Sequence, residues 1–177
     1  EKFITEDINF NKIIVKESKY EYYQEKYSID DFNNVTILKD NLFDEISDQE
    51  NTQGVMVLYS SNLKNLSDIT DDVVILDNIQ DPGNVGTIIR TLEATGFRNL
   101  VLTKGSVDVY NPKTVRATMG GIFKVNIIYD TPENILNFLN ERDYQIIVTT
   151  LHEDSVNYDE IEVQNNRKTY IFGNEGK

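Results

Sequence analysis

Apolar residues in this chain follow two rhythms. Some fall in short runs of four or five, the mark of buried strands, and others recur every three or four positions, the mark of one helix face. The clearest case is the stretch 73–97. Val73-Val74-Ile75-Leu76 reads as a strand, and a polar turn from Asp77 to Gly83 follows it. In the helix that comes next, Val85, Ile88, Ile89 and Leu92 share one face. Asn84 stands where an N-cap is expected, and Gly96 where the chain leaves the helix. A polar loop on a helix N-terminus, beside the carboxyl end of a strand, is where α/β proteins hold ligands.

The same rhythms continue to the end of the chain. Strands are predicted at 99–103, 123–129, 144–150 and 169–172. One helix starts at Pro112 and ends at Gly120-Gly121. Another starts at Pro132 with Ile135, Leu136, Phe138 and Leu139 inward. The alternation predicts an α/β fold, a mostly parallel sheet with flanking helices. Before it, strands at 12–16, 35–38 and 55–59 alternate with helices at 17–27 and 40–46, which predicts a smaller parallel sheet. Leu42, Phe43 and Ile46 point inward in the second of these helices. Tyr20, Tyr23 and Tyr27 share a face of the first, either for packing or as a base-stacking surface. The polar segment 60–72 reads as a linker, which divides the chain into a small α/β domain at 1–59 and a larger one at 73–177.

Composition narrows the chemistry. The 177 residues are 39% hydrophobic and 27% charged, as in a globular protein, and no apolar run approaches the roughly 20 residues that span a bilayer. A cytoplasmic protein is expected. With no cysteine and one histidine, His152, thiol catalysis, Cys-ligated zinc and multi-histidine metal sites are excluded. His152 reads as a surface or strand-end residue. The net charge of −13 is uneven. Residues 1–72 carry seven lysines against sixteen acids, and the remainder ten bases against fourteen acids, including all five arginines. So acidic a chain gains little from sequence-independent RNA or DNA coating, and any basic site belongs in the second half.

Three clusters there are candidates for chemistry. The first is Asp81-Pro82-Gly83-Asn84-Val85-Gly86 with Arg90, which stands about 100° round the helix from Ile89. Its plain alternative is a capped helix with Arg90 paired to Glu93. The second runs from Asn111 to Gly121. Lys113 and Arg116 lie three apart on one face there, suited to phosphate or to simple solvation. The third is Gly173-Asn174-Glu175-Gly176-Lys177 after a strand, which is neither a Walker loop nor a dinucleotide fingerprint.

Together these clusters resemble the SpoU (TrmH-type) family of RNA ribose methyltransferases, within the SPOUT superfamily. Residues 78–96, with Asp81-Pro82, Asn84-Val85-Gly86 and Arg90-Thr91 at matching spacing, are similar to the family's first motif. Val115-Arg116-Ala117-Thr118-Met119-Gly120 is similar to the segment before its fourth strand, and 173–177 to its second motif. The first 58 residues resemble the family's N-terminal substrate-binding module more loosely. The resemblance implies a trefoil-knot methyltransferase domain. The family's third motif would lie beyond Lys177, so a longer protein is expected, with the knot and the methyl-donor site incomplete within 1–177.

The implied reaction is methyl transfer from S-adenosylmethionine to a ribose 2′-hydroxyl of rRNA or tRNA, without a metal. The family assigns activation of the hydroxyl to the arginine matching Arg90. A guanidinium is a poor base near neutrality, so fixing a phosphate and stabilising the developing alkoxide suit it better. Asn84 matches the motif asparagine and would hold Arg90 or the substrate in register. Gly83 and Gly86 would let RNA approach the backbone, and Lys113 and Arg116 would contact phosphates. Gly173, Glu175 and Gly176 would close round the adenosine, with Thr149 and Thr150 lining the same pocket. A homodimer sharing its active sites is implied too. The competing readings are a non-catalytic RNA-binding relative, which needs neither Arg90 nor the 173–177 loop, and a nucleotide-binding oxidoreductase, whose G-x-G-x-x-G is missing.

Overall fold

The computed structural model describes residues 10–60, 64–164 and 167–174. The chain divides into two compact units, Glu1–Asn62 and Leu63–Lys177.

The first unit is a three-stranded sheet in the order β2-β1-β3. Its strands are β1 (Lys12–Lys16), β2 (Val35–Leu38) and β3 (Val55–Leu58), and its helices α1 (Tyr20–Tyr27) and α2 (Asp40–Ile46). β1 and β2 are parallel, but β3 runs antiparallel to β1, with Val15 opposite Val55. The expected all-parallel sheet is therefore mixed. The cause is where α2 is held. The Ser18 amide donates to Asp40 at 3.0 Å and Lys16 Nζ pairs with Asp44 at 2.7 Å, both just at or beyond the carboxyl end of β1. The Ser18 amide also holds the Asp40 carboxyl below its ordinary range. The chain thus stays at that end and re-enters the sheet there, Lys16 N donating to Gly54 O.

Ile13, Val15, Tyr23 and Ile29 form the small core, with Tyr20 and Tyr27 packed against it. The tyrosine face is thus a packing face. Of the apolar residues assigned inward in α2, Phe43 is buried, while Leu42 and Ile46 are exposed.

The second unit is a wholly parallel five-stranded sheet, order β6-β5-β4-β8-β7. Its strands are β4 (Val73–Asp77), β5 (Asn99–Thr103), β6 (Asn126–Asp130), β7 (Gln145–Val148) and β8 (Lys168–Gly173). The helices are α3 (Pro82–Thr95), α4 (Pro112–Ala117) and α5 (Pro132–Glu141). Side chains alternate between faces. Val74 and Leu76 join Val85, Ile89 and Leu92 of α3 in one core. Val73 and Ile75 join Ile135, Phe138 and Leu139 of α5 in the other. The central run of β4, Val73–Leu76, is apolar at every position because both faces are covered.

Several details differ from expectation. Gly121–Phe123 is a 3-10 turn, so β6 starts at Asn126, later than the predicted strand. Leu136 lies off the buried stripe of α5 and is exposed. In the segment read as a linker, Leu66–Asp68 forms a 3-10 turn and Ile69 is buried in the second unit's core, its carbonyl accepting from Arg142 at 2.8 Å. Tyr129 of β6 staples the loop before α4, donating to Val107 O and accepting from Val109 N, each at 3.0 Å. Burial pushes its hydroxyl up to about 12, with the Val109 bond opposing. Among the described residues, no helix is long and apolar enough to cross a membrane.

Candidate active site

After β4 the chain builds outward through β5 and β6, then crosses to the other side for β7 and β8. The winding reverses between β4 and β8, and the crevice outside the carboxyl ends of two such strands is the ligand position of an open α/β sheet. Asp77 pairs in register with Gly173 across this gap. Next along the edge, the Thr149 amide donates to Ile171 O at 3.0 Å, and its hydroxyl to the same oxygen at 3.2 Å. The loop after β4, the start of the glycine loop after β8 and the threonines after β7 thus lie side by side.

The loop after β4 is held firmly. Asn78 takes a left-handed conformation, φ 54°, which asparagine tolerates. Its amide donates to Thr103 Oγ1 at 2.8 Å, and that hydroxyl donates to Asp77 at 3.0 Å. Gln80 Nε2 donates to Asn78 Oδ1 at 3.0 Å and to Gly105 O at 2.6 Å. The N-cap of α3 is Asp81, whose carboxylate accepts from the Asn84 amide at 2.7 Å. This corrects the reading of Asn84 as the cap. Pro82 suits the first helical position because it lacks an N–H, so the cap must precede it. Asn84 then lies within the first turn with its side chain exposed. Gly96 ends the helix at φ 81° as expected.

Arg90 is exposed, two turns into α3. Glu93, its expected partner, pairs instead with Lys124 at 3.2 Å. Among the described residues, no hydrogen bond or ion pair holds the guanidinium. Six residues separate Arg90 from Asn84, about 9 Å along the axis. Arg90 therefore stands away from the crevice, beside the turn after α4. A Cβ on Gly121 would meet Arg90 Cα at 3.5 Å and Ile89 O at 3.3 Å, so this glycine lets that turn lie on the α3 backbone. Gly86 does the same one turn earlier: a Cβ there would stand 2.4 Å from Ala117 Cβ and 2.9 Å from Thr114 O. Gly86 is buried, and α4 occupies the approach expected for RNA. Gly83 is partly exposed, next to the Asp81 carboxylate.

With Thr114 buried against α3, Lys113 and Arg116 are left exposed. Met119, which the sequence marks only as part of the 115–120 segment, is 61% exposed at φ 51°, a strained apolar residue. Gly121 was visible only as half of a helix stop.

Across the sheet, Thr149, Thr150, Val148, Tyr158, Tyr170 and Phe172 line much of a mostly apolar concavity of roughly 1010 Å³. Gly173 is open, with nothing within 4 Å of a built Cβ. Glu175 and Gly176 lie outside the described residues. His152 is exposed in a turn beside Asp154, consistent with a surface residue.

Residues 71–177 match the model of the SpoU rRNA Methylase family. A 23S rRNA (guanosine(2553)-2'-O)-methyltransferase of Bacillus subtilis is 29% identical over 140 residues, 79% of this chain and 55% of that protein. The human mitochondrial rRNA methyltransferase 3 is 34% identical over 133 residues, 69% of this chain and 31% of that protein. This chain thus spans between about a third and about half of those relatives' lengths. An AdoMet-bound rRNA methyltransferase from Sinorhizobium meliloti matches with a TM-score of 0.81 at 26% identity, over 99% of this chain and 69% of that one. The SpoU methyltransferase AviRb of Streptomyces viridochromogenes shares the fold, at a TM-score of 0.72 and 18% identity, over 95% of this chain and 67% of that one.

Proposed function

Because this chain belongs to the SpoU rRNA methylase family, we propose that its protein transfers a methyl group from S-adenosylmethionine to a ribose 2′-hydroxyl of rRNA. The observation that carries the reading is the pairing of Asp77 with Gly173. It joins the loop leading to α3 and the glycine loop after β8 at the switch point of the sheet.

The residues present suit the cofactor. The apolar wall containing Val148 and Phe172 matches an adenine face, and the Thr149 and Thr150 hydroxyls, with the open backbone at Gly173, supply polar contacts at its rim. Glu175 and Gly176 are assigned to the cofactor as well. When bound, S-adenosylmethionine supplies an electrophilic methyl group on a sulfonium.

The protein's own contribution is alignment and charge. Arg90, free of any described partner, fixes the phosphate next to the acceptor ribose and stabilises the alkoxide that develops as the 2′-hydroxyl gives its proton to solvent water and its oxygen takes the methyl group from the sulfonium. Asn84 and the backbone at Gly83 position the nucleotide, and Lys113 and Arg116 hold neighbouring phosphates. Arg90 lies well along α3 from the crevice, which supports a homodimer in which each Arg90 serves the partner's cofactor side. Residues 1–59 serve as the substrate-binding module, and 73–177, with Leu66 and Ile69 packed into its core, as the methyltransferase domain. The cytoplasm is the proposed location.

The test is Arg90→Ala in the full-length protein. Methyl transfer to rRNA should be abolished, while affinity for S-adenosylmethionine stays within a few-fold. Equal loss of both would make Arg90 a structural or cofactor residue and refute its role.

A further inference from the structure

The first unit is strongly acidic in sequence, yet one face of α1 is not. Lys19, immediately before the helix, and Tyr22, Tyr23 and Lys26 recur at i, i+3, i+4 and i+7 and so share a side. Glu21 and Glu25 fall on the opposite side. This face borders a cavity of roughly 330 Å³ lined by Lys19, Tyr22, Tyr23, Thr52 and Gln53. That is at the small end of ligand pockets, which run from about 300 to 1,000 Å³.

The cavity is built rather than incidental. Tyr23 is buried and its hydroxyl donates to Gln53 O at 3.1 Å. The Gly54 amide donates to Thr52 Oγ1 at 3.0 Å. Gly54 sits at φ 81°, and a Cβ there would stand 2.6 Å from Lys19 Cγ, so the lysine stem lies across the glycine. Tyr22 is 52% exposed, its ring edge-on to Tyr23 at 5.1 Å. Lys26 Nζ donates to the Tyr22 hydroxyl at 3.2 Å, which places a cation at the rim of the ring. Lys16, the neighbouring lysine, pairs with Asp44, and Lys26 Nζ also stands 5.0 Å from the centroid of the Tyr27 ring.

We propose that this pocket binds one unpaired nucleotide of the RNA substrate, an inference that rests on the methyltransferase reading above. The base stacks on Tyr22, while Thr52 and Gln53 offer polar edges. Lys19 and Lys26, seven residues or about 10 Å apart, take phosphates on either side. An aromatic platform bracketed by cations suits single strands, whose bases are free to stack, and not the closed stack of a duplex.

The test measures binding of the full-length protein to a labelled short single-stranded oligouridylate by fluorescence anisotropy, across a salt series. Tyr22→Ala should weaken binding about 5- to 100-fold, and Tyr22→Phe should stay close to wild type. Lys19→Ala and Lys26→Ala should each flatten the plot of log affinity against log salt by about 0.7. Tyr22 is exposed, so unchanged circular dichroism is expected and separates lost binding from lost folding. Unchanged affinity in Tyr22→Ala, or equal losses in Tyr22→Ala and Tyr22→Phe, overturns the inference. Methylation of rRNA by the wild-type protein is scored separately. Its absence would sink the enzymatic reading, whereas methylation together with Tyr22-independent binding would sink only the pocket.

Discussion

Replacing Gly86 by alanine sets two effects of opposite sign against each other. In an open helix interior alanine is favoured over glycine by about 1 kcal/mol. Here the new methyl would stand 2.4 Å from Ala117 Cβ and 2.9 Å from Thr114 O. Carbon atoms rest about 3.5–4.0 Å apart, so α3 and α4 would have to separate by at least about 1 Å. Overpacking of this kind costs about 1–3 kcal/mol, and the upper end applies because one obstacle is backbone. Net destabilisation of about 2 kcal/mol should remain, lowering the melting temperature of the second unit by about 8 °C. Differential scanning calorimetry of Gly86→Ala checks this. Adding Ala117→Gly should recover part of the loss, since it clears the methyl contact but leaves Thr114 O. A melting temperature that is unchanged or raised, together with weakened RNA binding, would refute the packing account. It would return Gly86 to the role of admitting substrate.

Other expectations follow from single contacts. Asp81→Ala removes the α3 cap and should cost about 0.5–2 kcal/mol, while Asn84→Ala should leave stability nearly unchanged; denaturant titration of both variants checks the assignment. Tyr129 keeps its proton to about pH 12 in the folded state but loses it near 10 when unfolded. Its contribution to stability is therefore complete below pH 10 and disappears as pH rises from 10 to 12. Stability curves measured across that window should be shallower for Tyr129→Phe than for wild type. At neutral pH the same variant should lose about 1–3 kcal/mol, because the Val109 amide is left without its acceptor.

The doubly covered strands were the most legible part of the chain. The run at 99–103 became β5 without change because every position is buried, and an apolar centre as short as Leu100-Val101-Leu102, bounded by polar residues, suits a buried strand better than a helix. One-sided elements read less well. Periodicity places Leu42, Ile46 and Leu136 near an apolar stripe but cannot say how wide the covered stripe is, and all three are exposed. The direction of β3 was hidden because it depends on Asp40 and Asp44 holding α2 at one end of β1, a contact between residues far apart in sequence. In the site, Asp81-Pro82-Gly83 announced a loop and helix start. That Gly86 is cut to fit α4, and Gly121 of the following turn to fit α3, depends on neighbours about 30 positions away. Tyr22 carries no mark in the sequence because it falls outside the tyrosine spacing of the core.

The place of β8 in the sheet also sets a timetable for assembly. β4, β5 and β6 can associate as they leave the ribosome, each beside the strand made just before it. β7 has no such neighbour, because its partner among the described strands, β8, is made last of the five. Until β8 slots in, β4 presents an open edge and β7 waits unpaired, each a template for unwanted pairing. One insertion then closes both edges and brings Gly173 beside Asp77. Closing contacts between residues nearly a hundred positions apart is slow. The crevice is therefore the last part of the sheet to come into being, and a chain that has not finished folding has no crevice to offer a ligand.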